Sequence, residues 1–270
     1  MEKLFVISSE DKDPTSNSNS DFICVFNDSS TQQVSRILVR ECMVPNVFYN
    51  IRSEKRFGKP NNVLTLYQGV DFGPLEIIVP QGQYTIDELM TTLTDLMNTE
   101  FSGRGTTVNI DFVEHQNVLK FTFSGSPNIL NNRMTFDISS TMFNVLGIKE
   151  NITTETVIVN GLEVEQIICP YSPDLSGINQ VKIHSEQVSN GHGLDAGRAG
   201  TINLLETVSM HNVEYGSWGY KKNDNDMLCE IVYSEPQNLS RIRIVLRDNE
   251  GNKLDIGTKN MSVVLKAYFI

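Results

Sequence analysis

The chain has 270 residues, 22 of them Lys or Arg and 33 Asp or Glu, for a formal net charge of −11. That length allows one large domain or two small ones, with a sizeable core that needs no disulfide or metal. Hydrophobic residues at 39 % and charged residues at 20 % exclude wholesale disorder. The acidity argues against a phosphate-backbone binder, and no apolar run approaches the roughly 18–20 residues of a membrane helix.

Residues 1–9, MEKLFVISS, hold one Lys and a four-residue apolar stretch. A secretory signal needs an apolar core of about 7–15 residues, so none is expected. Residues 8–20, SSEDKDPTSNSNS, are polar and of low complexity. They predict a flexible N-terminal arm over 1–20. Strands are predicted at 21–27 (DFICVFN), 35–45 (SRILVRECMVP), 62–68 (NVLTLYQ) and 75–80 (LEIIVP). Each run favours period-two alternation and is bounded by turn residues.

The period then changes. In 83–98, QYTIDELMTTLTDLMN, the apolar Ile86, Leu89, Met90, Leu93, Leu96 and Met97 recur at three-and-four spacing. Thr85 followed by Glu88 is a capping box, so this segment is a helix. A hairpin follows, with Val108, Ile110 and Phe112 alternating before a turn at 114–117. Leu119, Phe121 and Phe123 alternate after it. A short strand at 134–138 and a helical turn at 141–147, stopped by Gly147, complete a small α+β unit over 82–150. Strand signals resume at 156–160, 180–188, 202–210, 228–233, 241–247 and 261–270.

Four strands before the α+β unit and at least four after it suit a mainly β fold. The expectation is a single eight-stranded jelly-roll sandwich with a small α+β insertion domain. The arm is 1–20, the discontinuous jelly roll 21–81 and 151–270, and the insertion 82–150. Alternation gives faces rather than strand order, so a sandwich of another topology also fits the pattern.

The motifs that could carry chemistry are weak. Gly191-His192-Gly193-Leu194-Asp195-Ala196 matches G-x-G-x-x-A, but a dinucleotide site needs a helix next. Here GRAGTINLLE follows, with two more glycines and a strand-like run, so a surface loop is expected. Asn223-Asp224-Asn225-Asp226 and Asp248-Asn249-Glu250-Gly251 resemble fragments of calcium loops. Neither completes the ligand set, and both read as solvated turns. His115, His184, His192 and His211 are isolated, and no G-x-S-x-G elbow occurs. Cys24, Cys42, Cys169 and Cys229 lack C-x-x-C spacing, which points away from zinc and toward free thiols in a reducing compartment. The N-x-S/T triplets at Asn27, Asn151, Asn238 and Asn260 read as chance matches. No catalytic, cofactor-binding or metal residue is expected, and no cofactor. Paired carboxylates on separate strands stay open, because such pairs leave no local signature. Arg36, Arg40, Arg241, Arg243 and Arg247 lie on the polar faces of their strands. If those strands share a sheet, they form a basic stripe suited to a charge-complementary protein contact.

Six segments in order carry a family resemblance. They are TSNSNSDF (15–22), VSRILVRECMVPNVFYNI (34–51), VPQGQYTIDELMTTLTDLMN (79–98), NVLGI (144–148), PDLSGINQVKIHS (173–185) and SRIRIVLRDNEGNKLDIGTKNMSVVLKAY (240–268). In this combination the chain resembles the penton, or vertex, minor capsid protein of virophages, polinton-like viruses and related large double-stranded DNA viruses. The resemblance implies a non-enzymatic structural protein, a homopentamer at the five-fold vertices of an icosahedral capsid. Its implied partners are a double jelly-roll major capsid protein and other minor capsid proteins. It implies a virion location after assembly in host cytoplasm or nucleus, without direct nucleic-acid binding or a membrane span. The 82–150 unit is large for a vertex protein and is read as an insertion. The rival readings are a viral attachment or glycan-binding β-sandwich module and a sandwich hydrolase.

Overall fold

Period-two alternation becomes strand almost wherever it occurs. The computed structural model describes residues 1–26, 33–54, 58–69, 73–125, 133–188, 204–223 and 230–270. The first elements are β1 (Glu2–Ser8), β2 (Asp21–Val25), β3 (Val34–Pro45), β4 (Val63–Gln68) and β5 (Leu75–Ile78). Next come α1 (Ile86–Phe101), β6 (Thr106–Val113), β7 (Val118–Gly125), β8 (Met134–Phe136) and α2 (Phe143–Leu146). They are followed by β9 (Ile152–Thr153), β10 (Glu155–Val159), β11 (Leu162–Ile168) and β12 (Gln180–His184). The last are β13 (Leu204–Ser209), β14 (Trp218–Lys222), β15 (Glu230–Gln237), β16 (Arg241–Arg247) and β17 (Ser262–Phe269). The protein is therefore mainly β.

The chain divides into two units, each with its own core. The first comprises Met1–Phe48, Lys55–Lys59 and Ile178–Ile270. Two antiparallel sheets form it, one in the order β1-β17-β3-β14 with β15 also on β3, the other β13-β12-β16-β2. β3 has twelve residues, long enough to pair β15 along its first half and β14 along its second. Inward side chains from both sheets meet in one cluster: Ile7, Cys42 and Val263 from the first, Phe22, Ile183 and Ile242 from the second. All six are fully buried, and each large apolar side chain contributes about 1.5–3 kcal/mol. On β14 the inward position is Gly219, where a Cβ would come within 2.6 Å of Met210 Sδ. The sheet takes Met210 there in place of a side chain of its own.

The second unit comprises Tyr49–Glu54 and Pro60–Gly177. Its sheets run β5-β4-β8-β9 and β10-β11-β7-β6. α1 starts at the predicted capping box: Glu88 N donates to Thr85 Oγ1 at 3.3 Å and Thr85 N to Glu88 Oε2 at 2.8 Å. The helix buries Leu89, Leu93, Met97 and Phe101 in a core shared with Phe121, Phe123 and Phe136. Phe121 and Phe136 meet edge to face, their centroids 5.0 Å apart. α2 ends at Gly147 with φ +74°, where a Cβ would stand 2.0 Å from the Tyr171 carbonyl oxygen. Only glycine fits there.

The division differs from the expected boundaries in three ways. The strands read at 62–68 and 75–80 belong to the second unit, because β4 pairs β5 and β8 rather than any sandwich strand. The second unit thus reaches beyond 82–150 on both sides. Within 1–20, residues 2–8 are β1, paired along its whole length with β17. The polar stretch after it is pinned by its side chains. Ser9 Oγ accepts from Met261 N at 3.0 Å, Asn19 Nδ2 donates to Lys259 O at 2.9 Å, and Ser16 Oγ accepts from Ile23 N at 2.9 Å. Hydrogen bonds replace the apolar burial that the composition lacks. Finally, β9, β11 and β14 lie outside the predicted strands.

Candidate assembly surfaces

The motif residues scatter. The 191–196 loop with His192, residues 224–226, Cys229 and Asn27 lie outside the described residues. Asn223 is a structural clamp, its Nδ2 donating to Val39 O at 2.9 Å and Glu206 Oε2 at 2.7 Å. Asp248 closes its own turn: Oδ1 accepts from Glu250 N at 2.9 Å and Asn252 N at 2.8 Å, and Oδ2 from Asn252 Nδ2 at 2.9 Å. This is the turn chemistry expected of Asp. His115 is exposed in the β6–β7 turn, His184 is buried on β12, and His211 is exposed after β13. Among the described residues no group of three or more His, Cys, Asp or Glu could hold a metal ion. Cys24, Cys42 and Cys169 are buried and outside any disulfide. Burial pushes Cys169 up to about 12. Burial, with the Asp11 carboxylate nearby, raises Cys24 as well.

The structure separates the arginines into two groups. Arg36 and Arg40 lie on β3 in the first sheet, and Arg241, Arg243 and Arg247 lie on β16 in the second. No single stripe forms. On the second sheet, Arg243 donates Nε to Asp21 Oδ1 at 2.8 Å and Nη2 to Asp21 Oδ2 at 3.0 Å. Lys253 adds a bond to Oδ2 at 2.7 Å. Burial alone would raise the Asp21 carboxyl, but the bonds from Arg243 and Lys253 outweigh it and hold the group at about 2. Arg247 Nη1 donates to Gly251 O at 2.6 Å. The outer face of this sheet is thus a charged, solvated surface of the ordinary kind.

The outer face of the first sheet is different. On β1, Phe5 and Ile7 turn inward, which leaves Leu4 and Val6 outward at 66 % and 67 % exposure. Across the sheet Val6 pairs with Val264, and Met43 sits between Ser262 and Tyr220. Trp218, opposite Pro45, and Tyr220 are 46 % and 53 % exposed. The charges on this face are few and mostly matched. Lys266 bonds Glu2 at 2.8 Å, which raises the ammonium group above its ordinary range. Glu41 and Lys222 are cross-strand partners, and Arg36 lies 3.8 Å over the Tyr268 ring. An apolar and aromatic surface rimmed by charge is a candidate contact site. The sequence held a signal for it. Leu4, Phe5, Val6 and Ile7 are four successive apolar residues, a strand apolar on both faces.

No protein-family model matches the chain, and no curated protein matches it significantly. A solved structure does. A chain in the cryo-EM structure of the Sputnik virophage aligns with a TM-score of 0.50 at 9 % identity, covering 98 % of this chain and 97 % of that one. The likeness is one of fold, over nearly the full length of both chains.

Proposed function

We propose that the protein is a structural component of a virion, and specifically the minor capsid protein that forms its five-fold vertices as a homopentamer. The observation that carries this reading is strand order. The first unit offers eight strand positions in chain order, β14 and β15 sharing the sixth. One sheet then runs 1-8-3-6 and the other 5-4-7-2. That order supports a single jelly roll: every chain-adjacent pair of strands is split between the two sheets except the fourth and fifth, which form a hairpin in one sheet. The full-length likeness in fold to a chain of a virophage particle supports the virion role. The uncovered apolar face supports assembly over catalysis.

In this reading the second unit is an insertion between the third and fourth jelly-roll strands. The sandwich docks among double jelly-roll major capsid subunits at the capsid vertex, and the work of the protein is shape and closure. A closed ring joins two different patches on each subunit. Electron microscopy and native mass measurement of the purified 30.4 kDa chain test the proposal. Five-fold rings, alone or with the major capsid protein, are the expected result. A protein that stays monomeric at every salt and protein concentration, with and without that partner, overturns it. Glycan binding by that monomer would promote the attachment-module reading.

A further inference from the structure

The exposed large apolar side chains concentrate in two places. One is the outer face of β1, β17, β3 and β14 in the first unit. The other is the β10–β11 hairpin of the second. At its tip Asn160 and Gly161 have φ of 52° and 79°, a tight turn that presents Ile158 at 74 % and Leu162 at 70 % exposure. β10 ends its sheet, and every residue but Val157 is exposed. Its sequence, ETVIV, contains no Lys, no Pro and no bulge, and its one charge, Glu155, sits at the end away from the tip. An edge left open in this way is built to be covered.

We infer that the β10–β11 hairpin of one copy docks on the outer face of the β1-β17-β3-β14 sheet of the next copy. The inference rests on the vertex reading and names the two patches that a closed ring requires.

Charge weighs against one alternative, a contact between two second units. The second unit carries 15 acidic and 5 basic residues, a net −10, whereas the first carries 18 and 17, a net −1. A contact between two second units would set −10 against −10. A contact between a second and a first unit avoids that repulsion. The local signs also agree. The hairpin exposes Glu155 and Glu163, while the face carries Arg36, Lys222 and Lys266 against Glu2 and Glu41. Size agrees as well. Four strands about 4.8 Å apart and seven residues of about 3.4 Å each give a footprint of about 450 Å². A standard interface takes about 800 Å² per partner. The face therefore supplies the apolar centre of a contact whose rim is polar. Packing face on face would instead make a two-fold dimer, which cannot grow into a ring.

The test uses two full-length variants, Val6→Asp on the face and Ile158→Asp on the hairpin. Both positions are exposed, so the melting temperatures should stay within a few degrees of the wild type. Val6→Ser and Ile158→Ser replace them if the acidic variants fail to fold. At about 300 mM salt, where charge is well screened, sedimentation should show wild-type rings and two variants that do not close. Mixed one to one at high concentration, the variants should form complexes of two chains and no larger. The live hairpin of one then meets the live face of the other, and growth stops there. A variant that still closes rings overturns the inference and leaves the vertex reading standing. So does a mixture that stays monomeric. A wild type that never forms rings overturns the vertex reading itself.

Discussion

Arg243 on β16 grips both carboxylate oxygens of Asp21 on the neighbouring strand β2, a bidentate pair that Lys253 completes from the turn beyond. The carboxyl is held at about 2 in the fold, below its ordinary 3.8. A depressed carboxyl stabilises the fold above the unfolded value and loses that contribution as pH falls through the folded one. Lys253 is half exposed, so water screens part of the attraction, and the contribution is about 1–2 kcal/mol. The unfolding free energy from urea titration should fall by at least that amount between pH 4 and pH 2 in the wild type. Asp21→Asn should start lower at pH 7 and show a flatter acid limb. An unchanged acid limb in the variant would remove the pair from the account.

Two glycines at positive φ separate strain from collision. Gly161 has φ +79° with open space around its missing Cβ, whereas Gly147 has φ +74° with the Tyr171 carbonyl 2.0 Å away. Gly161→Ala should cost about 1–2 kcal/mol, the price of a left-handed alanine. Gly147→Ala must also move a backbone segment and should cost clearly more. Thermal unfolding of the two variants side by side measures the difference, and equal losses would refute it.

The first strand belongs to the sandwich core. Ile7 is fully buried, and β1 pairs β17 from Glu2↔Tyr268 to Ser8↔Ser262. Ile7→Ala should destabilise by about 2–5 kcal/mol, and deletion of residues 1–8 should abolish cooperative unfolding of the sandwich. Ser16→Ala, which removes one acceptor for Ile23 N, should cost only about 1 kcal/mol. Circular dichroism of the truncated chain decides the matter, since an arm would be dispensable.

The thiols should be silent. Cys24, Cys42 and Cys169 are buried, and thiolate formation at Cys24 and Cys169 is pushed to higher pH. Alkylation of the native protein at pH 8 followed by peptide mapping should leave all three unmodified, with labelling appearing only on unfolding.

Local signals were legible in the sequence, and partnerships were not. The helix at 86–101 announced itself through three-and-four spacing and the Thr85–Glu88 box. The hairpin of β6 and β7 did so through alternation around a turn. Val63–Gln68 alternates as a sandwich strand would, yet its partners β5 and β8 lie in the other unit. Nothing in a period of two names a neighbour. β14 was hidden because its inward position is Gly219, so in WGYKK the alternating large side chains, Trp218 and Tyr220, lie on the outward face and no inward apolar residue marks the strand. The segment at 8–20 read as an arm because its fastenings are long-range. Asn19, for example, reaches Lys259 and Asn260. The assembly surfaces were missed for a related reason. An apolar residue counts as core until the fold reveals which face it lies on, as with Leu4 beside Phe5 and Ile158 beside Val157.

The position of β17 sets a timetable for synthesis. It lies between β1 and β3, so β1 has no neighbour, and β3 has none on its β17 side, until residue 262 and beyond have left the ribosome. The wait after β3 is roughly 220 residues, on the order of 10–40 s at about 5–20 residues per second. The strands of the second unit find all their partners within residues 49–177, so it can fold while the sandwich is still two open edges. The apolar face is assembled from β1, β17, β3 and β14 together. A nascent chain therefore carries no finished docking face, and a subunit gains one only when its last strand closes the sheet.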